Sequence, residues 1–187
     1  MPIFFLHDAR VSGATPECDI AVRVNSGDYL RTVVEQLANR ITNRYNEGAW
    51  FHTLHVLCHG LPQGLQLGTP FSTQHNVRTM FSPLRGVVGN IEIHGCRAAA
   101  IYNRGTPALG PYDGAAFCSE LARTASANVS ASDATQFYIP SSSITNRSGR
   151  NSLANWQGNV GIWNQSGRLA GVTSLEQRAI YQGTGSP

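Results

Sequence analysis

The sequence predicts an α/β domain: a central, mostly parallel sheet flanked by helices, with a β-hairpin at its C-terminal end. Three observations lead there. Leu54-His55-Val56-Leu57-Cys58-His59-Gly60 and Ile91-Glu92-Ile93-His94-Gly95-Cys96 are largely apolar runs beside glycine, the pattern of buried parallel strands. Cys96 follows His59 by 37 residues, enough for the crossover of a βαβ unit, which takes roughly 30 residues or more. Around these runs, strand-like and helical stretches follow one another as β-β-α-β-…-β-α-β, the signature of a doubly wound sandwich.

The elements follow from local patterns. Residues 2–6 read as the first strand and Cys18 to Val24 as the second. Ser26-Gly27-Asp28 offers N-cap chemistry to a helix whose Leu30, Val33, Val34, Leu37 and Ile41 repeat at helical spacing. Gly64-Leu65-Gln66-Leu67-Gly68 reads as half of a small hairpin beside the His59 tip. Ser82-Pro83 limits residues 72–85 to a short helix and a turn. Asn103 to Pro111 is a Gly/Pro-rich loop. Tyr112-Asp113-Gly114 opens a second long helix, and Val129 to Ser132 is a strand ending at Asp133. Trp156 to Trp163 alternates like a hairpin strand turning at Asn164 to Gly167, and a helix from Ser174 to about Tyr181 closes the domain.

The totals narrow the function classes. At 187 residues the chain fits one domain, 1–187, able to bury a core without disulfides or metal. A net charge of +3 from scattered arginines offers no basic stripe for nucleic acid. No run has the length of a membrane span, and Ile3-Phe4-Phe5-Leu6 is too short for the core of a signal peptide. Cys18, Cys58, Cys96 and Cys118 lack the paired spacing of a zinc site, and three of them read as small core residues. Trp50, Trp156 and Trp163 read as core as well. All 14 basic residues are arginine. A lysine-free chain escapes ubiquitin attachment, as suits a protein secreted or injected into a eukaryotic cell; lineage bias is the plainer explanation.

His59, Cys96 and Asp133 each stand at a strand end, and in α/β sheets chemistry sits beyond the carboxyl ends of the strands. Cysteine attacks as thiolate, and a histidine within reach favours that form or later delivers a proton. Gly60 and Gly95 let backbone approach a substrate and leave N–H groups for an oxyanion. The residues therefore point to acyl transfer by cysteine. His55 and His94 read as core or supporting residues. A zinc site from His55, His59, His94 and Cys96 would be a poor tetrahedral cage.

A strand ending in His-Gly, followed by a later strand ending in a small residue and cysteine, resembles the caspase–hemoglobinase superfamily of cysteine peptidases. The likeness extends through Gly64–Gly68, Phe117 to Ala122 and Asn128 to Asp133, covering roughly residues 50–165. It is greatest to bacterial caspase-like and toxin-type domains, since Gly95 stands where many relatives carry an acid. The resemblance implies a caspase-like fold and a cysteine endopeptidase acting on a protein or peptide. It implies Cys96 as nucleophile, His59 as acid to the leaving amine, and the N–H groups of Gly60 and Cys96 as oxyanion donors. It also implies a charged pocket for the residue before the scissile bond. Asp133 would favour a basic residue there, whereas Arg10, with Asp8, would favour an acidic one; Asp133 as a turn cap is the plainer alternative. No metal cofactor is required, although a calcium ion or small-molecule activator is possible in this superfamily. Two rival functions remain: a non-catalytic binding or scaffold module, and an acyltransferase or deamidase using the same dyad.

Overall fold

A computed structural model describes residues 1–45, 49–61, 64–102, 112–134, 136, 156 and 158–173. Strands β1 (Ile3–Asp8) and β2 (Ile20–Val24) lead to helix α1 (Leu30–Arg44) and strand β3 (Thr53–Leu57). Three short strands, β4 (His59–Leu61), β5 (Gly64–Gln66) and β6 (Ser72–Thr73), precede helix α2 (Val77–Phe81) and strand β7 (Asn90–His94). The pair β8 (Ile101–Tyr102) and β9 (Tyr112–Asp113) then leads into helix α3 (Gly114–Ala125), followed by β10 (Asn128–Ser132), β11 (Val160–Trp163) and β12 (Leu169–Thr173).

The main sheet has the order β12-β11-β10-β7-β3-β1-β2. The strands from β2 to β10 are parallel, and β11 and β12 add an antiparallel edge. After stepping from β1 out to β2, the chain returns past β1 to β3 and moves on to β7 and β10. The three crossovers carrying α1, α2 and α3 therefore run in one direction, and right-handed crossovers in one direction set their helices on one face. Accordingly, Phe4, Leu6, Leu54, Val56, Ile91, Ile93, Val129 and Ala131 share a single core with Leu37, Phe81, Phe117 and Leu121. All three α-helices among the described residues cover the same face, and the helix expected at 174–181 lies outside those residues. The β1–β2 connection runs the opposite way, and its Thr15 Oγ1 and Val11 carbonyl meet His7 on the other face at 2.8 and 3.1 Å.

The α1 stripe of Leu30, Val33, Val34, Leu37 and Ile41 is buried as its spacing requires. Its start differs from expectation. Tyr29 is the N-cap without a side-chain bond, while the Asp28 carboxylate accepts from the Asn25 N–H at 2.7 Å. The Thr69 carbonyl receives the Leu30 N–H at 3.0 Å, so a tertiary partner replaces the local cap. At α3 the local code holds: Asp113 accepts the Ala116 N–H at 2.8 Å, a cap worth about 1 kcal/mol. The C-terminal hairpin forms as expected but starts at Val160 rather than Trp156. Trp163 is buried, whereas Trp50, expected in the core, is 67% exposed. The loop 103–111 and the helix expected at 174–181 lie outside the described residues. Among the described residues no helix is long and apolar enough to cross a membrane.

Candidate active site

The connection from β1 goes to one side of the sheet and that from β3 goes to the other. The carboxyl ends of β1 and β3 thus flank a topological switch point, where open α/β sheets form their binding crevice. Asp8 ends β1, His59 follows β3, and Cys96 follows β7, the next parallel neighbour of β3.

His59 does not continue β3. The strand ends at Leu57, Cys58 turns into the core, and His59 begins the small antiparallel unit, pairing with Gln66 as Gly60 pairs with Leu65. This is the hairpin expected beside the histidine, and it leaves His59 exposed. Cys58 is the inert member of the pair: burial raises its thiol pKa strongly, helped by the nearby Asp8 and Cys96.

Cys96 sits in the turn after β7 and is half-buried, with Sγ 3.5 Å from the Gln136 carbonyl oxygen. Its turn is anchored on the end of β10 and the residues just beyond it. Arg97 N–H donates to the Ala134 carbonyl at 2.9 Å and Ala99 N–H to the Ser132 carbonyl at 3.0 Å. Among the described residues the Cys96 N–H meets no acceptor. Arg97 adopts a left-handed backbone, φ +55°, which costs a non-glycine residue about 1 kcal/mol or more and is the kind of strain that clusters at functional sites. The histidine and cysteine segments touch. A Cβ on Gly60 would overlap the Cys96 carbonyl oxygen and lie 2.6 Å from the Cys96 nitrogen, and one on Gly95 would lie 3.3 Å from Gly60 Cα. Glycine at both positions is what lets the two backbones meet.

The residues expected to bind substrate have other duties. Asp8 is fully buried, because β1 runs on past residue 6, and this corrects its expected role at a substrate edge. Its carboxylate holds Arg10 through Nε at 2.7 Å and Nη2 at 2.6 Å, and accepts the Arg10 and Gly68 N–H groups at 2.9 and 3.4 Å. The Gly68 bond ties the tip of β1 to the segment after β5, and so to the unit that carries His59. Burial pushes the Asp8 carboxyl pKa up, but the Arg10 hydrogen bonds and charge outweigh it, leaving it lowered from 3.8. Arg10 is thereby neutralised, and its guanidinium stands 6.0 Å from the Phe71 ring centroid. Asp133 is exposed, yet its two oxygens receive the Asn159 N–H at 2.9 Å and Nδ2 at 3.0 Å. It caps the approach to β11, as the plainer of its two sequence readings expected.

Removing Arg10 strands a buried carboxylate. Arg10→Met is expected to lower unfolding free energy by about 3 kcal/mol at neutral pH. Because the folded-state pKa of Asp8 is depressed, the stability it contributes is complete above 3.8 and is lost as pH falls through the lower folded value. The gap between wild type and variant, measured by urea unfolding, should therefore close in acid. An equal gap at neutral and acid pH would show that the ion pair is not its cause.

The zinc site weighed in the sequence held two residues of a cluster that the structure forms with Glu92 in place of His59 and Cys96. His55, Glu92 and His94 converge on the face away from the helices, and their ligand atoms lie within 4.8 Å of one another, so they could hold a metal ion. The signal was present as polar residues alternating through two apolar strands, but only the β3–β7 register brings them together. His59 and Cys96 are not members of this group. A groove between α2 and α3, lined by Arg78, Glu120 and Arg123 and crossed by the ion pairs of Glu120 with both arginines, includes neither His59 nor Cys96. Comparison with protein-family models, curated proteins and solved structures finds no match.

Proposed function

We propose that the chain is a caspase-like cysteine endopeptidase in which Cys96 and His59 form the catalytic dyad. The observation that carries this reading is the contact of Gly60 with the Cys96 backbone across the tips of two segments led in by adjacent parallel strands. The Cys96 thiolate attacks the peptide carbonyl carbon, and the oxygen's negative charge is received by the N–H groups of Cys96 and Gly60. As the C–N bond breaks, His59 gives a proton to the leaving amine, leaving a thioester on Cys96. His59 then takes a proton from water, whose oxygen attacks the thioester, and the acid product leaves with the Cys96 thiolate and protonated His59 restored.

The residue before the cut is proposed to be basic. Asp133, which also accepts the Asn159 bonds, is an exposed acidic residue beside the Cys96 turn, whereas Asp8 already neutralises Arg10. A fluorogenic peptide library varied at that residue, assayed with wild type and Cys96→Ala in parallel, tests the proposal. Cleavage after Arg or Lys that disappears in the variant is expected. Turnover equal in both proteins would sink the dyad, and a substrate gaining about one mass unit without chain cleavage would indicate a deamidase instead. No turnover together with an unreactive Cys96 thiol at neutral pH would favour a binding module.

A further inference from the structure

Central parallel strands ordinarily carry Val, Ile and Leu on both faces. On the face away from the helices, β3 and β7 instead present His55, Glu92 and His94, with His55 in register with Glu92 and Leu57 with His94. His55 Nδ1 lies 3.1 Å from His94 Nε2 and 3.4 Å from Glu92 Oε2, and His94 Nε2 lies 3.6 Å from that same oxygen. The two imidazoles are only 12% and 10% exposed, against 35% for Glu92. The group is sheltered yet open on its carboxylate side.

We propose that His55 Nδ1, His94 Nε2 and Glu92 Oε2 form a binding site for a zinc-class divalent metal ion, with a fourth position open to water or another ligand. A tetrahedral ion with bonds of about 2.05 Å holds its ligand atoms about 3.3 Å apart. The three separations straddle that distance. Two nitrogens and one oxygen select zinc and its neighbours over magnesium or calcium, which take oxygen ligands. Hydrogen bonding alone leaves the triangle incomplete. Each neutral imidazole directs at most one N–H into it, so three contacts share at most two protons. One central cation answers all three.

The rings are also held in place beforehand. Phe5 stacks on His55 at 4.8 Å between centroids and 18° between planes, and Trp156 stacks on His94 at 4.5 Å and 26°. Such fixing of ligand orientation is a regular feature of metal sites. A bound ion would tie β3 to β7 below the tips that carry His59 and Cys96. The site stands whether or not those two residues cleave peptides.

Zinc titration of the full chain against a chromophoric chelator tests this, with Cys96→Ala included to remove thiolate binding. One zinc ion per chain is expected in both proteins. Glu92→Gln and His94→Gln should each weaken binding at least about tenfold to a hundredfold, the range that loss of even a supporting residue costs, while melting of the metal-free variants confirms that they fold. Cobalt(II) bound to wild type should show the strong visible bands of a tetrahedral nitrogen and oxygen site, with no thiolate charge-transfer band. This readout stands even where a variant fails to fold. No saturable zinc binding, binding that disappears in Cys96→Ala, or binding retained in folded Glu92→Gln and His94→Gln would each overturn the assignment.

Discussion

On the proposed peptidase mechanism, Cys96→Ala is expected to lower peptide cleavage at least about a thousandfold, with the fold unchanged, because the step it removes is formation of the thioester itself. Among the described residues the Cys96 sulfur makes one hydrogen bond, a long one of 3.5 Å to the Gln136 carbonyl. His59→Ala removes the proton donor to the leaving amine and should cost about a hundredfold to ten-thousandfold. Groups that act as one unit lose their effect together rather than additively. The double variant should therefore be no slower than Cys96→Ala alone. Losses that multiplied, with melting temperatures unchanged, would mean the two residues act in separate steps or sites.

Gly60→Ala should damage both the structure and the site. A methyl at this position runs into the carbonyl oxygen, nitrogen and preceding carbonyl carbon of the Cys96 segment, all backbone atoms that no rotamer change can move aside. Overpacking ordinarily costs about 1–3 kcal/mol, and with rigid neighbours on both sides the upper end of that range or more is expected. Relief can come only by parting the β4–β5 unit from the turn after β7. That would carry His59 away from Cys96, and a misplacement of about 1 Å can cost about a hundredfold in rate. Urea unfolding and peptide turnover read the two effects separately. A variant with wild-type stability would show that the two backbones are not in contact in solution.

Much of this was legible because the physics is local. Helical spacing of Leu30, Val33, Val34, Leu37 and Ile41 specifies a buried stripe whatever it packs on, and Asp113 caps α3 with an atom three residues away. Asn164 likewise closes the last hairpin by accepting the Ser166 and Arg168 N–H groups at 3.1 Å. His59 and Cys96 stood out because each is a reactive side chain beside a glycine, just after a strand. The cap of α1 differs from its local signal because its partner, Thr69, lies far along the chain. In the sequence Asp8 reads as open to a substrate because no local pattern marks that β1 continues to it and buries it.

By itself, then, the sequence determined the kinds of elements, their order and the two tips on which chemistry would rest, since periodicity, capping and turn formation act over a few residues. Only the tertiary structure decided which strands became neighbours, and with that everything depending on contact between distant segments. The direction of successive crossovers put all three described helices on one face. The glycine contact brought His59 and Cys96 to one place, and the β3–β7 register gathered His55, Glu92 and His94 within bonding distance of a single ion. Long-range pairing depends on the summed packing of the whole core, which no short stretch of residues encodes.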